Sequence, residues 1–167
     1  MNKNKSAIIF IVVIIAALGI LFALPRLGDP NREIVKTWRA AGIDCLPSHA
    51  NANLHIHPTL EIEVSGRRET IPANLGIVRG CMAEVHIHDI SGTIHLESVS
   101  AGKTFTLGQF FAISGKSLER PGFRLEMTVD GSANAQLGNL ILKDKQKIVL
   151  KYQPVVQPSE SSPVKPQ

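Results

Sequence analysis

The sequence predicts a mainly β protein: a compact antiparallel sandwich or barrel, preceded by one N-terminal transmembrane helix and a short amphipathic helix. Three observations carry this expectation. Residues 7–24 are eighteen consecutive uncharged, mostly apolar positions. After Asp29-Pro30 the apolar residues recur at helical spacing, and from about residue 53 to 152 the period switches to two. Setting aside the apolar run and the tails leaves a chain long enough for one modest core, which excludes a multidomain enzyme and any large nucleotide-binding fold.

Residues 1–6 are expected to form a cytoplasmic N-terminus and residues 7–24 the anchor. Eighteen residues at 1.5 Å rise make about 27 Å of helix, close to the hydrocarbon thickness of a bilayer. The exit, Leu21-Phe22-Ala23-Leu24-Pro25-Arg26, is a poor cleavage sequence, so an uncleaved single-pass anchor is expected rather than a removed signal. Lys3 and Lys5 belong inside by the positive-inside rule, which places the rest of the chain outside the cytoplasm. These two lysines also supply half of the formal net charge of +4. Beyond them sixteen Lys and Arg face fourteen Asp and Glu, which is no electrostatic footprint for nucleic acid.

Residues 25–52 read as a linker and the amphipathic helix. Asp29 is a candidate N-cap with Pro30 at the first helical position, Ile34, Val35, Trp38 and Ala41 form the apolar stripe, and Gly42 is the stop. Residues 53–152 form the β-rich, histidine-containing domain. Leu54, Ile56, Leu60, Ile62 and Val64 share one parity, and Gly66-Arg67-Arg68 turns the chain. Alternation continues through Val85 and Ile87, Ile94 and Leu96, Phe105 and Leu107, Phe123 to Val129, and Ile148 to Tyr152. Asp130-Gly131 is a strong hairpin signal. Residues 153–167 hold four prolines and three serines without a core pattern, and are expected to be a disordered tail.

All six histidines lie between His49 and His95. On a strand, side chains at i and i+2 leave the same face, so His55-x-His57 and His86-x-His88 each present a pair of imidazoles. If Asp89-Ile90-Ser91-Gly92 is a four-residue hairpin loop, His86 faces His95 and Glu84 faces Glu97. His86, His88 and His95 then converge on one ion. His55 and His57 join them if their strand neighbours the hairpin, or else form a second site. Neutral imidazole suits copper, zinc, nickel or iron. The bland alternative is a solvated polar face, yet such faces more often carry Thr, Lys, Glu and Ser. Glu97 is a candidate ligand, an orienting partner of an imidazole or a general base; Asp89 is expected to cap the turn, with a supporting contact to the metal site as the alternative. His49 lies in a Pro-Ser-His-Ala loop and is set aside. A cupin motif fails, because Asp89 comes too early and Glu97 too late for its glutamate.

Cys45 and Cys81 are the only cysteines. Outside the cytoplasm an even count favours a disulfide, with thiolate ligation of a metal as the alternative. A blue-copper loop is excluded because Met82 follows Cys81 directly and precedes His86.

His55-Ile-His57, Ile71-Pro72-Ala73-Asn74-Leu75-Gly76-Ile77, Cys81-Met82, the run from His86 to Ser98, and Thr106-Leu107-Gly108-Gln109-Phe110-Phe111 together resemble an uncharacterised family of prokaryotic, membrane-anchored, extracytoplasmic proteins. Two positions depart from that pattern: Ile87, where Thr is commoner, and Ser114, where an aromatic residue is usual. The resemblance implies that these motifs act as a unit and implies no particular chemistry.

The leading expectation is a cell-membrane, single-pass protein whose extracytoplasmic domain binds a transition metal, copper first and zinc next, for sensing, storage or delivery. A second is a zinc enzyme with three histidines and an activated water, the less favoured branch. A third is a non-catalytic accessory subunit of a membrane complex. The expected partners are the membrane and a metal ion, with no nucleic acid.

Overall fold

A computed structural model describes residues 11–16, 19, 30–46 and 52–155. The chain divides into two compact units, residues 1–34 and 35–167. In the first, residues 11–16 and 19 are helical. No helix among the described residues is long and apolar enough to cross a membrane. The expected span, residues 7–24, lies largely outside the described residues, as do the cap Asp29, His49 and residues 156–167 of the expected tail.

Helix α1 runs from Pro30 to Ala40. It ends as expected at Gly42, whose N–H donates to the Arg39 carbonyl while the Ile43 N–H reaches back to Trp38. Trp38 and Ile43 are both buried. In chain order the strands are β1 (Cys45–Leu46), β2 (Leu54–Ile56), β3 (Thr59–Val64), β4 (Arg67–Glu69), β5 (Ile77–Val78), β6 (Cys81–Ala83), β7 (Val85–His86), β8 (His95–Ser98), β9 (Phe123–Val129), β10 (Ser132–Ala133) and β11 (Lys147–Pro154). They form three sheets, in the orders β1-β6-β5, β10-β9-β11-β3-β4 and β2-β8-β7.

The expectation of a purely antiparallel arrangement is corrected in the middle sheet. There β11 pairs antiparallel with β9 but parallel with β3, Ile148 lying beside Leu60. A closing strand inserted between two earlier ones takes its direction from each independently, and no local pattern encodes that. The same strand reaches Pro154, two residues past the expected boundary of the tail. The β3–β4 turn is also displaced: Val64 pairs with Arg67, so Ser65-Gly66 makes the turn and Arg67 already belongs to the strand. Asp130-Gly131 turns β9 into β10 as expected, with Val129 opposite Ser132.

Several elements were unforeseen: β1 lies in the stretch expected to be linker, β5 and β6 fall where no strand was expected, and a helix follows Phe105. The stretch after Phe105, expected to continue as a strand, is helix α2 (Leu107–Ser114). Thr106 caps it: its hydroxyl accepts from the Gln109 N–H while the Gln109 side chain accepts from the Thr106 N–H. The helix buries Leu107, Phe110, Phe111 and Ile113 in the common core, against Leu60, Ile62, Val85, Ile87, Ile94, Leu96, Ile148 and Leu150. Each such large apolar side chain contributes about 1.5–3 kcal/mol.

Cys45 and Cys81 form a disulfide with their Cα atoms 5.1 Å apart. It joins β1 to the β5–β6 hairpin and settles the bridge against thiolate ligation.

Candidate metal centre

The centre is built on β2-β8-β7. The hairpin register is as expected, with His86 opposite His95 and Val85 opposite Leu96. The Glu97 N–H donates to the Glu84 carbonyl, which extends the pairing by one step. On the other side of β8, His55 lies opposite Glu97 and Ile56 opposite Leu96. Continuing that register by one residue brings His57 level with His95. Strand β2 therefore neighbours the hairpin, and the five histidines on or just beyond these strands come together.

Backbone contacts hold the loop in place. The Asp89 carboxylate accepts from the Ser91 N–H at 2.8 Å, the turn-capping role expected of it. The Leu60 N–H donates to the Gly92 carbonyl and the Ile94 N–H to Pro58. Gly92 has φ +86°, and a Cβ there would lie 2.3 Å from the Leu60 oxygen, so only glycine allows β3 to approach the hairpin this closely. His57 is pinned by its N–H to the Asp144 carboxylate at 2.9 Å.

The rings converge. Donor atoms of His86, His88 and His95 lie within 4.8 Å of one another, and so do those of His55, His57 and His95. His95 belongs to both sets. The Nε2 atoms of His86 and His88 are 3.2 Å apart. Two nitrogens bound tetrahedrally to one ion at about 2.0–2.1 Å would be about 3.3 Å apart. His86 Nδ1 lies 2.9 Å from the Ala83 carbonyl. A carbonyl can only accept, so the proton sits on Nδ1 and the lone pair on Nε2, facing His88.

No family model, curated protein or solved structure matches the chain. Its chemistry is therefore argued from the donor set. Glu97 Oε1 lies 3.2 Å from His55 Nε2 and 4.0 Å from His86 Nε2, and the carboxylate is buried. It touches one member of each pair.

The histidine face is graded rather than uniformly solvated: His55 and His88 are exposed, His57 and His95 half-buried, and His86 fully buried. Val85, His86 and Ile87 are all fully buried, because the backbone of residues 75–76 lies against β7. The Ile87 N–H donates to the Leu75 carbonyl, and a Cβ on Gly76 would lie 2.5 Å from the Val85 oxygen. Burial pushes the His86 imidazole down to about 4, against the opposing pull of the Ala83 carbonyl and Glu97; His88 and His95 push it further down. Burial and the neighbouring His88 and His57 also lower His95. Neutral rings are the form that ligates a metal.

Sequence reasoning missed what Glu84 does. It is buried beside the site but turns away from the rings, accepting from the Ser98 hydroxyl at 2.7 Å, the Asp44 N–H at 2.9 Å and the Lys103 ammonium. The like-charged Glu84–Glu97 pairing was the available signal that a cation must be near one of them; nothing local pointed to Lys103.

Proposed function

We propose that this chain is a membrane-anchored, extracytoplasmic protein whose β-domain binds a transition-metal ion, copper first and zinc next, for sensing, storage or delivery. One observation carries the reading: imidazoles from three neighbouring strand segments converge, with a buried carboxylate among them. Imidazole suits both metals, and copper(II) leads the affinity order of divalent ions for nitrogen donors. The apolar run behind Lys3 and Lys5, and the likeness to an anchored extracytoplasmic family, support the location.

The test is elemental analysis of the full chain, purified without a histidine tag, loaded separately with Cu(II) or Zn(II) and desalted. Stoichiometric metal is expected, and its loss in the His57→Ala/His88→Ala/His95→Ala variant. No retained metal in the wild type, or unchanged binding in the variant, would overturn the reading.

A zinc enzyme with an activated water is the second reading, favoured by the placement of Glu97 beside a three-histidine set. It requires an exchangeable water on the cobalt-substituted protein; a coordinatively closed site rules it out.

A further inference from the structure

The two three-histidine sets are alike in composition. Each is a His-x-His pair completed by the same ring, His95, and touched by the same carboxylate, Glu97. The ring centroids of His57 and His88 lie 4.7 and 4.6 Å from that of His95, both edge-on. Two half-sites therefore flank one shared ligand.

A neutral imidazole has one unprotonated nitrogen and one lone pair. Whichever nitrogen His95 offers, it serves one ion at a time unless its remaining N–H proton is also lost. Charge points the same way. Five neutral rings and the single negative charge of Glu97 leave one divalent ion with a net +1, but two with a net +3, in surroundings where Glu97 and His86 are almost wholly shielded from water.

The half-sites differ in access. Each pair has one exposed ring, His55 (48%) and His88, but the first is completed by half-buried His57 and the second by His86, which is fully buried with its ring locked by the Ala83 carbonyl. One is suited to capture and the other to retention.

We infer that the two triads are alternative seats for a single metal ion, which enters at His55 and His57 and passes to His86 and His88 across the shared ligand His95. This rests on the metal reading above and adds a direction of travel to it. Release runs the same path backwards, so an acceptor offering competing nitrogen or sulfur ligands would take the ion from the outer seat.

The experiment titrates Cu(II) into the full chain, a His88→Ala variant and a His55→Ala/His57→Ala variant. None of these substitutions touches a fully buried side chain, so the fold is kept. Copper per chain is measured after desalting, its environment by electron paramagnetic resonance, and its loss by transfer to a chelator. One copper is expected in all three proteins, with different spectra in the two variants; the variant keeping only the inner seat should bind nearly as tightly as wild type, and the one keeping only the outer seat still binds, but about tenfold or more weakly. The variant keeping only the inner seat should release copper to the chelator more slowly than the one keeping the outer seat. Two coppers per wild-type chain would overturn the inference, meaning that His95 has lost its second proton and bridges. So would one variant behaving as wild type while the other loses the ion, which is the signature of one seat. No copper in the wild type would instead overturn the metal reading itself.

Discussion

His86 concentrates the physical problem of the site. A polar ring with no exposed surface is tolerable only if its nitrogens are satisfied, and the Ala83 carbonyl and His88 do this. The neutral form is thereby built into the fold. Between pH 6.5 and about 4 the unfolded chain takes up a proton at this position and the folded chain does not. Acidification through that window therefore favours unfolding, by roughly 3 kcal/mol in total. A second phase should follow at lower pH from Glu69. Its carboxylate is held down to about 2 by the Arg120 guanidinium, which donates at 2.6 and 3.1 Å, and by Lys116. The folded chain keeps Glu69 ionised while the unfolded chain protonates it below about 4.5, costing about 1–2 kcal/mol once solvent screening of this partly exposed pair is counted. Urea unfolding of the metal-free chain at a series of pH values checks both. A flat profile between pH 7 and 4 would contradict a neutral, buried His86.

Among the elements, strand parity made most of the site legible. Alternation placed His55, His57, His86, His88, His95 and Glu97 on one side of their segments, and the loop from Asp89 to Gly92 set the pairing of His86 with His95. Two things were not legible. The position of β2 beside β8 joins residues 55 and 97, and no local pattern specifies which distant strands become neighbours. The burial of His86 depends on the close approach of Gly76, whose only sequence trace is a missing side chain. Helix α2 was a misread signal: Phe105 and Leu107 alternate like a strand, but Thr106-x-x-Gln109 is a capping box, and the reciprocal hydrogen bonds decide in favour of the helix. Thr106→Ala should cost about 1 kcal/mol of stability through loss of the cap. Thermal or urea unfolding measures it, and an unchanged midpoint would show that burial of Phe110 and Phe111 alone sets the helix start.

Across the whole molecule, three small sheets share one core, and long-range links make up for the short strands. The Cys45–Cys81 bridge spans a sequence separation of 36 and is worth roughly 3–4 kcal/mol by restricting the unfolded chain. Reduction should lower the unfolding midpoint accordingly. Because Cys81 lies two residues from Ala83, whose carbonyl orients His86, reduction should also weaken metal binding; parallel urea titrations and metal-binding isotherms of oxidised and reduced protein read both effects. The central claim is that imidazoles from separate strand segments share one ion, and X-ray absorption of the metal-loaded full chain tests it most directly. A nitrogen-dominated shell at about 2.0–2.1 Å with the outer-shell scattering of several imidazole rings is the predicted result. A shell of oxygens, or one carrying no more than a single ring, would contradict it.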